Sequence, residues 1–346
     1  MAAAAEAALE AHVPAPEEAG VAEADFESID TLQTMGISAA DIKKAKEGGV
    51  HTAQALLMVP KRHLAEIKGL SEAKIEKMVE MARKLVPASG WRTATEAAHA
   101  REREIIRIRT GCTAVDELLG GGFETKALTE MFGEWRCGKT MLAHTLCVTT
   151  QLPTEEGGGA GKAAFIDTEG TFRPELVKEI AARFGMEPEA VLGNIVVARA
   201  HTSEHQADLL ISLTALMAEE ACFRLLVVDS LTAPFRTDFT GRGELAERQQ
   251  RLNNVLAKLK KISEEFNVAV VVTNQVVSDP GGGAMFVSDP KKPVGGHVMA
   301  HASTTRLSLR KGKGEQRLIK VVASPCLAEA EASFCCSATG VADFKD

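Results

Sequence analysis

The 346-residue sequence contains no tyrosine, and aromatic residues make up only 4% of it. One common side chain for stacking on nucleic-acid bases is thereby missing, although Phe, Trp, His and Arg remain. No apolar run is long enough to cross a bilayer, so no membrane partner is expected. The alanine-rich start carries Glu6 and Glu10 and lacks the basic segment that opens a secretory leader. The seven cysteines show neither CxxC nor paired metal-ligand spacing, and Cys335 and Cys336 are adjacent. That pattern suits neither a zinc knuckle nor an ordinary bridge, and reads as reduced thiols in a cytosolic or nuclear protein. Lys and Arg are missing from residues 1 to 42, which hold nine acidic residues. Setting that segment aside turns the net charge from −7 to +2, so the overall acidity does not exclude nucleic acid as a partner.

What is present is a soluble composition, 45% hydrophobic and 25% charged, with a length that suggests two domains and a tail. Residues 1–24, rich in Ala, Glu and Pro, have too few large apolar groups to offset ordering entropy and read as a disordered acidic tail. Residues 25–86 read as short helices broken at glycine. Ser28 or Asp30 caps one that stops at Gly36, Ser38 caps one ending at Gly48-Gly49, a third runs from Pro60 to Lys68, and a last helix reaches about Leu85. Between the last two lies Lys68-Gly69-Leu70-Ser71, a glycine turn flanked by lysines. It fits either a helix-hairpin-helix whose backbone approaches DNA phosphates, or a helical bundle with a solvated lysine face. Residues 87–103 read as a linker, in which Trp91 either folds back on its own domain or anchors a neighbouring protein.

From residue 104 to 346, apolar runs alternate with helical stretches. They are Ala127 to Phe132, Ala163 to Ile166, Asn194 to Ala198, Leu225 to Val228, Val268 to Val272, Thr305 to Leu309 and Arg317 to Val322. Strands separated by helices predict an α/β core with a mostly parallel sheet.

The chemistry centres on Gly133-Glu134-Trp135-Arg136-Cys137-Gly138-Lys139-Thr140, a full GxxxxGK[ST] match between a strand and a helix, Met141 to Thr149. Gly133 and Gly138 let backbone N–H groups wrap phosphates, Lys139 neutralises the β/γ oxygens, and Thr140 offers a hydroxyl to Mg²⁺. ATP with Mg²⁺ is the implied ligand. Leu225 to Ser230 is an apolar strand ending in Asp229, a second Mg²⁺ anchor about 90 residues downstream. Phe165 to Gly170 ends in two acids. Glu169 is the candidate general base for the attacking water, and helix capping by Asp167 and Glu169 is the alternative. Gln275, after Val270 to Asn274, is a candidate γ-phosphate sensor.

Two loops fit either DNA contact or flexible connection. One, about Val276 to Gly296, contains Gly281, Gly282, Gly283 and Lys291; the other, Thr237 to Glu244, holds Arg242 between glycines. The stretch Arg306, Arg310, Lys311, Lys313, Arg317, Lys320 reads as a DNA-backbone patch or a solvated strand face.

These motifs in this order resemble the eukaryotic RecA-like strand-exchange recombinases, somatic and meiosis-specific, over residues 26 to 346. The most specific stretches are Leu152-Pro153, Ile166 to Pro174, Gly241 to Leu245, Thr273 to Val276, Ala300 to Arg306 and Ser324 to Leu327. The resemblance implies a RecA-like P-loop ATPase core behind a small all-α helix-hairpin-helix domain. It implies a nuclear homo-oligomer, a helical filament or rings, on single-stranded DNA that pairs with double-stranded DNA, aided by recombination mediators. By motif match, Lys139, Thr140 and Asp229 hold Mg-ATP, Glu169 is catalytic, and Gln275 and His301 sense the γ-phosphate. Arg136 lies near adenine, Arg242 and the loop from Val276 touch DNA, and Trp91 and Ala94 form the polymerisation motif. Trp91 stands where the family carries Phe, Cys137 where it carries Thr or Ser, and Ala323 where an Asp precedes Ser-Pro. Asp279-Pro280-Gly281 looks meiotic and Ser324 to Leu327 somatic. A non-catalytic recombination mediator and a ring-type RecA motor are the competing functions.

Overall fold

The computed structural model describes residues 26–86, 90–278 and 291–345. Its centre is a nine-stranded sheet. In chain order the strands are β1 (Ala127–Gly133), β2 (Lys162–Asp167), β3 (Ile195–Arg199), β4 (Phe223–Asp229), β5 (Ala269–Asn274), β6 (Thr305–Lys311), β7 (Gln316–Ala323), β8 (Glu331–Ser337) and β9 (Gly340–Asp343). Across the sheet the order is β9-β8-β7-β6-β1-β5-β4-β2-β3. The six strands from β6 to β3 run parallel, and β7, β8 and β9 extend the sheet antiparallel.

Helices cover both faces, so the inner stretches of β2, β4 and β5 are near-continuous apolar runs rather than alternating with polar residues. Ala163, Phe165, Leu225, Val227 and Val271 point to one core, shared with the helix Lys139–Thr149. Their neighbours Ala164, Ile166, Leu226, Val228, Val270 and Val272 point to the other, shared with the helices Ser203–Glu220 and Leu245–Glu265. The period of two therefore sorts an unbroken apolar run into two cores.

Every strand expected from the sequence forms, within a residue or two at its ends. β8 and β9 were not anticipated. Cys335, Cys336 and the small residues around them carry little β signal, and pairing with β7 makes them strand. The expected linker is also largely helix. Ala94–Glu104 is helical, opened by a capping box in which Thr93 and Glu96 satisfy each other's backbone N–H groups. The Thr-x-x-Glu spacing was visible in the sequence as a helix start. At the N-terminal end, Ser28 and Ser38 cap as expected, but a 3-10 turn, Ile29–Gln33, follows Ser28. The segment from Pro60 is helical only over Lys61–Ala65, and an unanticipated helix, Ala53–Met58, precedes it.

Ile29, Leu32, Ile42, Leu56, Leu64 and Met78 gather residues 26–86 around their own core. This unit touches the large sheet domain through Phe26, packed edge-on against Phe266 at 5.0 Å, and through Thr52, whose hydroxyl donates to Glu265 at 2.6 Å. Among the described residues no helix is long and apolar enough to cross a membrane.

Candidate nucleotide site

Parallel strands place their carboxyl ends on one edge of a sheet, where loops meet helix N-termini. Gly133 ends β1, Asp167 ends β2, Asp229 ends β4 and Asn274 ends β5. Around them lies a cavity of about 540 Å³, lined by the whole loop Gly133 to Thr140 and by Glu169, Thr171, Asp229, Thr273 and Gln275. Sequence positions more than a hundred residues apart thus converge.

The loop's glycines are required by space and by conformation. A Cβ on Gly133 would lie 2.1 Å from the Leu309 carbonyl oxygen, and Gly138 caps the helix Lys139–Thr149 at φ 103°. The loop so held presents the N-terminus of an eleven-residue helix, with its unpaired N–H groups, to the cavity. Lys139 Nζ donates to the carbonyls of Gly133 and Glu134 at 2.9 and 2.8 Å. These are bonds that an incoming phosphate oxygen can replace with a stronger, charge-assisted one.

Thr140 Oγ1 donates to Asp229 Oδ2 at 2.8 Å, and the Thr273 hydroxyl donates to Asp229 Oδ1. A hydroxyl and a carboxylate in direct contact at the mouth of a phosphate loop make a hard-oxygen donor set. Magnesium takes this kind of partial set, together with phosphate oxygens and water, rather than an all-protein cage. No cluster of three His, Cys, Asp or Glu ligands occurs among the described residues. The donors therefore fit Mg²⁺ delivered with a nucleotide.

The two acids after β2 divide their work. Asp167 Oδ1 accepts the N–H groups of Glu169, Gly170 and Thr171 at 2.7–3.2 Å, Oδ2 accepts that of Phe172, and Arg199 pairs with it at 2.9 Å. Asp167 therefore shapes the turn, and Glu169 is left exposed on it. Glu169 Oε1 accepts from Gln275 Nε2 at 2.6 Å, and Gln275 Oε1 accepts from the Arg236 guanidinium. His144 braces the turn from below, accepting the Arg173 N–H at Nε2 and bonding the Thr140 carbonyl through Nδ1. These partners fix its neutral tautomer, and burial holds its pKa below the usual 6.5.

Trp135 is 76% exposed and carries the Arg136 guanidinium 4.0 Å from its ring centroid. His301 does not line the cavity; it sits exposed on the helix Gly296–Ala302, stacked on His297. Arg317 lines the cavity. Arg306, half-buried, pairs with the buried Glu130 at 2.6 Å, Arg310 grips Glu331 with two 2.9 Å bonds, and Lys320 pairs with Glu329. Glu130, Glu331 and Glu329 thus answer three cations of the basic stretch, and Lys311 and Lys313 form no ion pair among the described residues. Lys291–Pro293 pairs with Val276–Ser278 as a two-stranded ribbon at the base of the long loop. Gly281, Gly282 and Gly283 lie outside the described residues, as do the side chains of Lys291 and Arg242. Sequence reasoning missed Arg236, Thr273 and Cys336 as parts of this site. Arg236 and Cys336 have no local motif, Thr273 lies in the stretch Thr273 to Val276 without a signal of its own, and the sheet brings all three in.

β3 forms one edge of the sheet. Beside it, a 270 Å³ apolar groove is lined by Ala164 and Ile166 from β2, Val196 and Ala198 from β3, and Leu209 and Leu213 from the adjoining helix. Trp91 is fully exposed three residues before Ala94.

The Rad51 family profile matches residues 101–344 of the chain. The chain is 60% identical over 321 residues to the meiotic recombination protein DMC1 homolog of Arabidopsis thaliana, covering 93% of this chain and 92% of that protein. It is 61% identical to the corresponding protein of Glycine max over the same shares of both chains. The DNA repair protein RAD51 homolog B of Zea mays is 53% identical over 318 residues, covering 92% of this chain and 93% of that one.

Proposed function

The chain belongs to the Rad51 family, and from that premise we propose that it is an ATP-dependent recombinase. It assembles on single-stranded DNA and exchanges strands with a homologous duplex. The observation that carries this reading is the convergence of Lys139, Thr140, Asp229 and Glu169 on one cavity. A vestigial site in a mediator would have no reason to keep all four. The higher identity to meiotic relatives favours meiotic recombination in the nucleus.

Lys139 turns from the loop carbonyls to the β/γ-phosphate oxygens, and Thr140 and Asp229 hold the accompanying Mg²⁺. Glu169, on a turn fixed by Asp167, orients and deprotonates the attacking water. Gln275 already bonds Glu169 and lies directly before the loop from Val276. Occupancy of that loop by DNA draws Gln275 from the carboxylate and frees it for water. His301, exposed on its helix, senses the γ-phosphate between neighbouring protomers, whereas exposed Ala323, standing where the family carries Asp, brings no carboxylate to cap the neighbour's ATP.

Filament growth is supported by the edge groove. An extended segment carrying Trp91 adds to the free edge of β3, its indole entering the neighbour's groove, with Ala94 close behind where a larger side chain would not fit. The hairpin turn at Gly69 and the loops at Arg242 and Lys291 supply DNA-backbone contacts, and Lys311 and Lys313 extend them.

ATP hydrolysis by the purified protein, with and without single-stranded DNA, alongside electron microscopy of the DNA mixture, tests the proposal. DNA-stimulated turnover with helical filaments is expected, and both are lost in Lys139→Ala. DNA binding with neither turnover nor filaments would overturn it in favour of a mediator.

A further inference from the structure

Two thiols share the nucleotide cavity, and phosphate binding uses neither. Cys137 lies in the phosphate loop, buried, with its sulfur 3.5 Å from Lys139 Nζ. The loop motif leaves that position open, because the cradle is made by backbone N–H groups rather than by its side chain. Cys336 lines the same cavity from β8. A Cβ placed on Gly138 would meet the Cys336 sulfur at 3.0 Å, so this thiol abuts the loop at the residue following Cys137. Strand alternation separates it from its neighbour: the Cys335 sulfur bonds the Asp343 carbonyl instead and does not line the cavity. The cavity is large enough for a small oxidant to enter.

We propose that Cys137 and Cys336 are an oxidisable thiol couple, and that a hydroperoxide joins them and closes the site to ATP; this rests on the cavity being the nucleotide site. The Cys137 sulfur, with the Lys139 ammonium as counter-charge, attacks the peroxide, breaking the O–O bond. A sulfenic acid and one water result. The Cys336 sulfur then attacks the sulfenic sulfur, forming the S–S bond and expelling its oxygen as a second water. Two thiols and one hydrogen peroxide thus give one disulfide and two waters. Burial pushes the Cys336 thiol up to about 11, so at neutral pH it rests protonated. A loop tied to β8 through Cys137 cannot hold its N–H groups on a phosphate, and bound ATP in turn shields both sulfurs.

The full-length reduced protein is treated with hydrogen peroxide and its free thiols are alkylated. Non-reduced peptides are then mapped by mass spectrometry while affinity for a fluorescent ATP analogue is followed. A peptide joining Cys137 to Cys336 is expected. Losing even one charged hydrogen bond from the cradle weakens binding about tenfold or more, and a thiol reductant reverses the loss. Saturating Mg-ATP beforehand prevents it. Cys336→Ser and Cys137→Thr, each compared with its own reduced form, lose the sensitivity. Unchanged affinity after oxidation, a bridge to Cys335 or Cys326 instead, or equal sensitivity in Cys336→Ser overturns the inference. If the reduced protein itself fails to bind the nucleotide, the nucleotide-site reading falls and takes this inference with it.

Discussion

At the scale of single residues, the site is organised by hydrogen-bond partners rather than by residue type. Asp167 and Glu169 are two residues apart and both acidic. Asp167 spends its oxygens on four backbone N–H groups and Arg199, whereas Glu169 faces the cavity with one amide partner. That amide belongs to Gln275, whose other end is held by Arg236. Arg236 lies on the helix Ala233–Asp238, which leads into the Arg242 loop, and Gln275 leads into the loop from Val276. A carboxylate that accepts an amide N–H has one oxygen fewer to offer to water, so on the proposed function this relay would restrain Glu169 until DNA disturbed either loop. Arg236→Gln is expected to raise ATP turnover without DNA by about threefold, the loss of one modest hydrogen bond, and to shrink the stimulation by DNA. Steady-state hydrolysis at saturating ATP measures both. Unchanged DNA-free turnover would remove Arg236 from the relay.

At the scale of elements, β3 ends one side of the sheet and pairs only with β2 among the described residues, and Trp91, just before the helix starting at Ala94, is fully exposed. The capping box at Thr93 and Glu96 stops the helix from extending back through Trp91, so that residue stays outside the helix, ahead of an extended Thr93. Extended chain is what can add to an edge strand. A charge at this position cannot enter an apolar groove, so Trp91→Glu is expected to give monomers by light scattering where the parent forms assemblies. Assemblies that persist in this variant would refute the edge-docking reading.

At the scale of the whole molecule, the N-terminal helical unit and the sheet domain meet over a buried carboxyl. Glu265 accepts from Thr52 and lies near Lys261 on its own helix, yet burial pushes its pKa up from 4.5 to about 7. Between those values the folded protein holds a proton that the unfolded chain releases. Stability therefore rises as pH falls from about 7 towards 4.5, and the unfavourable contribution, on the order of 3 kcal/mol, is fully present above 7. His144 acts oppositely, since its depressed pKa removes stability as pH falls below 6.5. The informative quantity is therefore the difference between Glu265→Gln and the parent. Gln keeps an acceptor for Thr52 without the charge. The variant is expected to be more stable than the parent in urea at pH 8 and to lose that advantage at pH 5. An equal difference at both pH values would exclude titration of Glu265.

Much of this was legible in the sequence, because some structure is set by neighbours along the chain. The strand–loop–helix around Gly133 to Thr140, the apolar runs of the parallel sheet, and the Ser28 and Ser38 caps depend on local spacing and backbone freedom. The long motif matches carried the family. Only the tertiary structure decided which of two neighbouring acids faces the cavity, that Arg317 joins the nucleotide site while Arg310 is held by Glu331, and that Cys336 and Arg236 belong there at all. These assignments depend on which strand lies beside which and in what register. Strand order and register join residues far apart in the chain, and no local pattern records them.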